Sequence, residues 1–213
     1  VSVATQPEHR AEIVIYAAEH GARAIYAEKA MAASMAEADA IVEACEKNSV
    51  FFNLGTNRRY DTGFDKMKEV IDSGDLGRLK SLIAFSTSTL FNGSSHQFDL
   101  LMRLNSDQPA SSVQASLTGF QRAGLQVGVE DLFEGDRMVE DPVGHGIIQF
   151  ENDVTAYALN TSRRSDWEAH CENGVVVSMN NGVDWEIRRP GPPDQRGRPA
   201  RLMTHPFPEY QRS

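Results

Sequence analysis

A chain of 213 residues, 40% hydrophobic and 24% charged, has enough apolar material for one large core or two modest ones, which excludes wholesale disorder. Its net charge of −9 excludes nucleic acid as a partner, because a phosphate backbone needs clustered Lys and Arg. No apolar run nears the roughly 20 residues that span a bilayer and no basic segment leads into an apolar one, so a soluble cytoplasmic protein with no membrane partner is expected.

The chain opens on Val1–Ala4, a strand-like apolar run without an initiator Met, so residues are expected to have preceded it. A Thr5-Gln6-Pro7 turn follows, and Glu8 to His20 places Ala11, Val14, Ile15 and Ala18 on one helical face before Gly21. Ala24–Tyr26 reads as a second strand. Ser34 and Glu37 then form a capping box that opens a helix with Met35, Ala38, Ile41, Val42 and Cys45 inward. Val50–Leu54 is a third strand, and Asp61 caps a helix with Phe64, Met67, Val70 and Ile71 as its stripe, stopping near Gly74. Strand and helix alternating at this spacing imply right-handed crossovers and a parallel sheet. Residues 1–75 therefore read as the rear half of a Rossmann domain.

Beyond residue 75 the pattern changes. Leu79–Thr87 is a strand and Ser94 to about Leu104 a helix. Val113–Thr118, Gly146–Phe150, Val154–Thr161, Gly174–Met179 and Val183–Ile187 are further strands. Asn152-Asp153 and Asn181-Gly182 are hairpin turns between them. The fold class is thus α/β: a partial Rossmann parallel sheet followed by an α+β domain with a largely antiparallel sheet over residues 76–188. Residues 189–213 hold six Pro and read as an extended arm or flexible tail. Cys45 and Cys171 belong to no pairing motif and read as buried thiols, with a disulfide as the alternative. No metal site is expected.

Four segments can carry chemistry. Thr5, Pro7 and His9 lie where a parallel strand gives way to a helix N-terminus, a place that receives ligands; a well-capped turn is the plain alternative. Glu28-Lys29 follows the second strand, where an ammonium could meet a substrate hydroxyl, or form an exposed ion pair of little consequence. Asn57, Arg58, Arg59 and Tyr60 follow the third strand and could hold a polyhydroxylated ligand or brace the next helix. Asn92, His96 and Asp99 fall about one helical turn apart, and a His of near-neutral pKa suits proton removal from an alcohol, although a structural His is common on helices.

Taken in order, Ala4-Thr5-x-Pro7-x-His9, then Glu28-Lys29, Gly55-x-Asn57-Arg58-Arg59-Tyr60 and the Gly93-x-x-His96-x-x-Asp99 helix resemble the glucose–fructose oxidoreductase and inositol dehydrogenase (Gfo/Idh/MocA) family. Glu37-Ala38-Asp39-Ala40, Ser73–Gly77, Phe150–Asp153 and Trp185-Glu186 extend the resemblance over nearly the whole chain. It implies an NAD- or NADP-dependent oxidoreductase that moves hydride between nicotinamide and a hydroxyl of a sugar, cyclitol or other small polyhydroxylated substrate, in a homo-oligomer (dimer or tetramer). By the same resemblance Thr5, Pro7, His9, Glu28 and Asn57 would border the cofactor. Lys29, His96 and Asn92 would be catalytic, His96 taking the hydroxyl proton. Arg58, Tyr60 and Asp99 would contact substrate, and His145 is a further candidate for the substrate mouth, as is the acidic stretch Glu130–Glu140.

Three departures stand beside it. The G-x-G-x-x-G turn that receives the pyrophosphate does not occur in the chain, Ala30 stands where the family has Pro, and Asn92 stands where many members have Asp. They leave two other readings: a non-catalytic relative serving as an oligomerisation or binding module, and an NAD-dependent sugar hydrolase or epimerase with no net redox.

Overall fold

The computed structural model describes residues 1–86, 88–118, 120–122, 125–161, 165–193 and 202–206, and the chain divides into two units. The first unit comprises Val1–Thr56, Thr89–Ser95 and Leu117–Val143. Its sheet holds β1 (Ser2–Val3), β2 (Ala24–Ala27) and β3 (Phe51–Leu54), all parallel and in that order. Helices α1 (Pro7–Glu19) and α2 (Met35–Lys47) make the crossovers, as the alternating pattern requires. Pro7 opens α1 at a position where its fixed φ suits the helix and its missing N–H costs nothing. Ser34 caps α2 by accepting from Glu37 N at 3.2 Å, while Glu37 Oε2 accepts from Ala33 N at 3.0 Å, so the capping box closes one residue earlier than usual. Val14, Ala18, Ile25, Ala27, Ile41 and Cys45 form the buried centre of this unit.

The second unit comprises Asn57–Ser88, His96–Ser116 and Gly144–Ser213. Helix α3 (Thr62–Ser73) is capped by Asp61, which accepts from Gly63 N at 2.8 Å, and stops at Gly74 in the left-handed conformation with φ 73°. Strand β4 (Leu79–Ser86) precedes α4 (Ser94–Leu104), which begins in the first unit and continues in the second. After β5 (Ala110–Thr118) come β6 (Phe120–Arg122) paired with β7 (Leu125–Val127), then β8 (Phe133–Glu134) paired with β9 (Arg137–Met138). Strands β10 (Val143–Phe150), β11 (Thr155–Asn160), β12 (Asp166–Cys171), β13 (Gly174–Met179), β14 (Asp184–Pro190) and β15 (Leu202–Pro206) complete the described chain.

The large sheet runs β15-β14-β13-β12-β4-β11-β10-β5. Its β4–β11 pair is parallel and its β10–β11, β4–β12, β12–β13, β13–β14 and β14–β15 pairs are antiparallel, so the expected largely antiparallel sheet is present. Ala156, Leu82, Ala169, Val176 and Ile187 lie in register on adjacent strands and build one buried row of the core. Both expected hairpins occur. Asp153 adopts φ 63° between β10 and β11, and Asn181 φ 61° with Gly182 φ 80° between β13 and β14.

Strand β12 had no counterpart in the sequence reading, and part of the expected C-terminal arm is β15; residues 194–201 and 207–213 lie outside those described. Cys45 and Cys171 are free thiols, each pushed upward in pKa by burial and Cys171 also by Glu172. Among the described residues no helix is long and apolar enough to cross a membrane, and no three His, Cys, Asp or Glu side chains gather as a metal site would need.

Candidate functional site

The carboxyl ends of β1 and β2 meet in one corner of the first unit. Thr5 follows β1, and its Oγ1 is buried without a hydrogen-bond partner among the described residues. Such an orphaned hydroxyl is costly unless a ligand satisfies it. Pro7 begins α1, and His9 lies exposed in its first turn. Arg10, only 1% exposed, donates to Thr5 O and Ala30 O, tying the turn after β1 to the turn after β2. Burial lowers its pKa, and the charges of Glu28 and then Glu8 oppose that shift. The guanidinium thus stays charged and spends its donors on backbone carbonyls, the acceptors a buried cation needs.

Glu28 and Lys29 leave β2 half-buried, Glu28 Oε2 accepts from Lys29 N at 3.3 Å, and the Lys29–Ala30 peptide is cis. Lys29 Nζ donates to Asn92 O at 2.7 Å and to Asn92 Oδ1. The pair borders a cavity of about 390 Å³. Gln6, Pro7 and Glu8 at the start of α1 line it, together with Ala30, Phe91 and the segment Met138, Val139, Glu140 and Asp141. Within the same unit a second cavity of about 330 Å³, walled by Ala32, Met35, Ala38 and Phe133, shares Ala30, Phe91 and Met138 with the first. An ammonium, an amide and carboxylates around one space can donate to and accept from hydroxyl groups, while the apolar wall covers C–H faces.

The second unit holds the remaining candidates. Asn57 and Tyr60 are exposed at the two ends of a 3₁₀ turn, Asn57–Tyr60. Arg58 is half-buried there, its pKa lowered by burial against the attraction of Asp61. Its neighbour Arg59 is the one that engages Asp99: Nε donates to both carboxylate oxygens at 3.0 Å, and Nη2 reaches Asp107 at 3.0 Å. Burial alone would lower the Arg59 pKa, but Asp99 and Asp107 outweigh it and raise it. His96 is half-buried in the first turn of α4. His145 is exposed on β10, where it lines an open recess of the large sheet with Gln114, Ile147 and Tyr157. Ile147 pairs with Tyr157 while Ile148 points into the core, so this recess is on the sheet face away from the core.

The structure thus brings Lys29 and Asn92 into direct contact, with Pro7 on the same cavity wall, and places Thr5 and Glu28 in the turns that lead into it. Arg10 was missed by the sequence reading. The signal available was a charged residue on the apolar stripe of α1, one position before Ala11.

No family profile matches the chain. A myo-inositol 2-dehydrogenase from Thermotoga maritima is 31% identical over 78 residues, 37% of this chain and 23% of that protein. The chain therefore matches about a quarter of the length of the curated relative. The structure of a levoglucosan dehydrogenase in complex with NADH and L-sorbose superposes with a TM-score of 0.73 at 21% identity, over 97% of this chain and 60% of that one. A super-repressor mutant of Gal80p from Saccharomyces cerevisiae superposes with a TM-score of 0.72 at 14% identity, over 99% of this chain and 61% of that one.

Proposed function

This chain has a Gfo/Idh/MocA-type fold, and from it we propose that the protein is a nicotinamide-dependent dehydrogenase acting on a hydroxyl of a sugar or cyclitol. The observation that carries the reading is Lys29, placed at the carboxyl end of β2 and held by both oxygens of Asn92 on the wall of a polar cavity. An ammonium held this way has a third N–H to offer a substrate hydroxyl. His96 supplies the general base that takes the hydroxyl proton, a task suited to an imidazole near neutral pH. Bound nicotinamide supplies the hydride acceptor.

The residues present fit the nicotinamide end of such a cofactor. The orphaned Thr5 hydroxyl, the Pro7 turn and Glu28 sit at strand ends that receive dinucleotides in open parallel sheets. The Gly-rich pyrophosphate turn is not among these 213 residues. NAD is the cofactor we favour, because the levoglucosan dehydrogenase of this fold was captured with NADH.

The test is turnover of myo-inositol, levoglucosan and L-sorbose with NAD and with NADP, followed at the nicotinamide absorbance, together with the native mass of the purified protein. One dinucleotide of added mass and reduction of NAD by one of these compounds are expected. Lys29→Ala and His96→Ala are each expected to lower kcat about 10²–10⁴-fold, the usual worth of a positioned proton-transfer group.

A second reading, a binding module without catalysis, draws on Asn92 and Ala30 at positions the family fills otherwise and on the Gal80p super-repressor mutant among the neighbours of this fold. Absence of bound dinucleotide, together with no conversion of any of the three compounds, would make it the leading one.

A further inference from the structure

We propose that Asp141 is the positioning residue of the Lys29–Asn92 pair: its carboxylate fixes the turn of residues 89–92 and so sets both oxygens to which Lys29 Nζ donates. The catalytic meaning of this wiring rests on the dehydrogenase reading; the wiring itself does not.

Asp141 lies 49 residues beyond Asn92 in the chain, yet it binds almost the whole turn ahead of α4. Its Oδ2 accepts from Thr89 Oγ1 at 2.6 Å and from Asn92 N at 2.8 Å, and its Oδ1 accepts from Phe91 N at 2.8 Å. The next residue completes the set, because Pro142 O accepts from Leu90 N at 2.7 Å. Four consecutive residues are therefore held by two.

Three donors converging on one side chain demand a carboxylate. It presents acceptor lone pairs on both oxygens, whereas the Asn isostere has one acceptor oxygen and would turn an N–H₂ group toward a donor. Among the described residues no hydrogen bond or ion pair joins Lys29 to Asp141, whereas Asp141 holds Asn92 N and Lys29 Nζ donates to Asn92, so the carboxylate acts on Lys29 through Asn92. Asn92 is itself exposed, and besides a long 3.4 Å bond from Ser95 Oγ to its carbonyl, the bonds from its own N–H and from Phe91 N–H to Asp141 hold the backbone that presents its two oxygens to one ammonium. The effect on Lys29 is directional. Two of its three N–H groups are spent on Asn92, which aims the third.

The test reads the lysine rather than turnover. The full chain is acetylated with sulfosuccinimidyl acetate at constant pH, and the rates at Lys29 and Lys80 are compared by peptide mass spectrometry. The Lys80 side chain is 56% exposed and serves as the internal reference. An amine held by two acceptors acylates slowly, so Asp141→Ala and Asp141→Asn are expected to raise the Lys29-to-Lys80 ratio several-fold with unchanged circular dichroism. Thr89→Val, which removes one donor of three, is expected to raise it less. Should Asp141→Ala fail to fold, the near-isosteric Asp141→Asn still decides. A Lys29-to-Lys80 ratio unchanged in folded Asp141→Asn overturns the proposal. Because no substrate enters the assay, a failure of the dehydrogenase reading leaves this result intact.

Discussion

Arg10 shows how one side chain can organise a sheet edge. Its guanidinium bridges the carbonyls of Thr5 and Ala30, and both belong to turns in which residues expected at the cofactor lie. Burying the cation costs free energy that the two charge-assisted bonds offset, and the lowered pKa reports that cost. Replacement by Met keeps the packing of the stem but leaves two carbonyls without their donor. At roughly 1–3 kcal/mol for a buried acceptor left unmatched, the loss exceeds the relief of desolvation. Arg10→Met is therefore expected to lower the stability of the first unit by about 2 kcal/mol and to speed amide exchange around residues 5–7 and 28–31. Denaturant titration by circular dichroism, combined with hydrogen exchange, checks both; a variant as stable as the parent would sink the argument. The places of Lys29 just after a strand and of Asn92 just before a helix were legible in the sequence, because each sits in a short motif beside a strong element signal. Arg10 and Asp141 were not. Their partners are backbone carbonyls and N–H groups, which every residue has, and only the fold says which ones come near.

At the scale of elements, legibility followed periodicity. The crossover helices α1 and α2 and the cap of α3 carry strong local signals, and the structure has them. Strand β12 alternates Asp166, Glu168 and His170 with Trp167, Ala169 and Cys171, a period of two hidden behind three polar side chains. Those polar groups find partners: His170 Nε2 meets Glu168 Oε2 of the same strand at 2.9 Å, and Asp166 Oδ1 accepts from Asn180 N, just past β13, at 2.9 Å. Trp167, 1% exposed, packs edge-on against Phe64 of α3 at 4.8 Å, so a strand that reads as polar holds the largest side chain of the core. The β13–β14 turn closes over the start of the same helix. A Cβ on Gly63 would lie 2.8 Å from Trp185 Cη2 and 2.9 Å from Gly182 O. Alanine would gain up to about 1 kcal/mol of helix propensity, less at a helix end, but must displace a backbone oxygen and an indole, which costs about 1–3 kcal/mol. Gly63→Ala is accordingly expected to lower the fluorescence-detected denaturation midpoint of the second unit. A raised midpoint would show that the turn yields freely.

At the scale of the whole molecule, the described residues form two buried clusters that share no residue, one centred on Val14, Ile25 and Ile41 and the other on Leu82, Leu101 and Trp167. Two cores of this kind need not unfold in one step, because cooperativity extends only as far as packing does. The chain offers a direct way to see this, since its two Trp residues, Trp167 and Trp185, both belong to the second unit. Tryptophan fluorescence therefore follows one core, while far-ultraviolet circular dichroism follows the helices and strands of both. Ile25→Ala opens a cavity in the first cluster and Leu82→Ala in the second, each at a cost of about 2–5 kcal/mol. Ile25→Ala is expected to lower the early part of the dichroism transition and leave the fluorescence midpoint in place. Leu82→Ala is expected to move the fluorescence midpoint by more than any shift in the first transition. If each variant moves both signals equally, the two clusters unfold as one cooperative unit. Arg10 and Asp141, both in the first unit, would then be working against the stability of the entire chain rather than against the smaller barrier that keeps Lys29 and Asn92 in place.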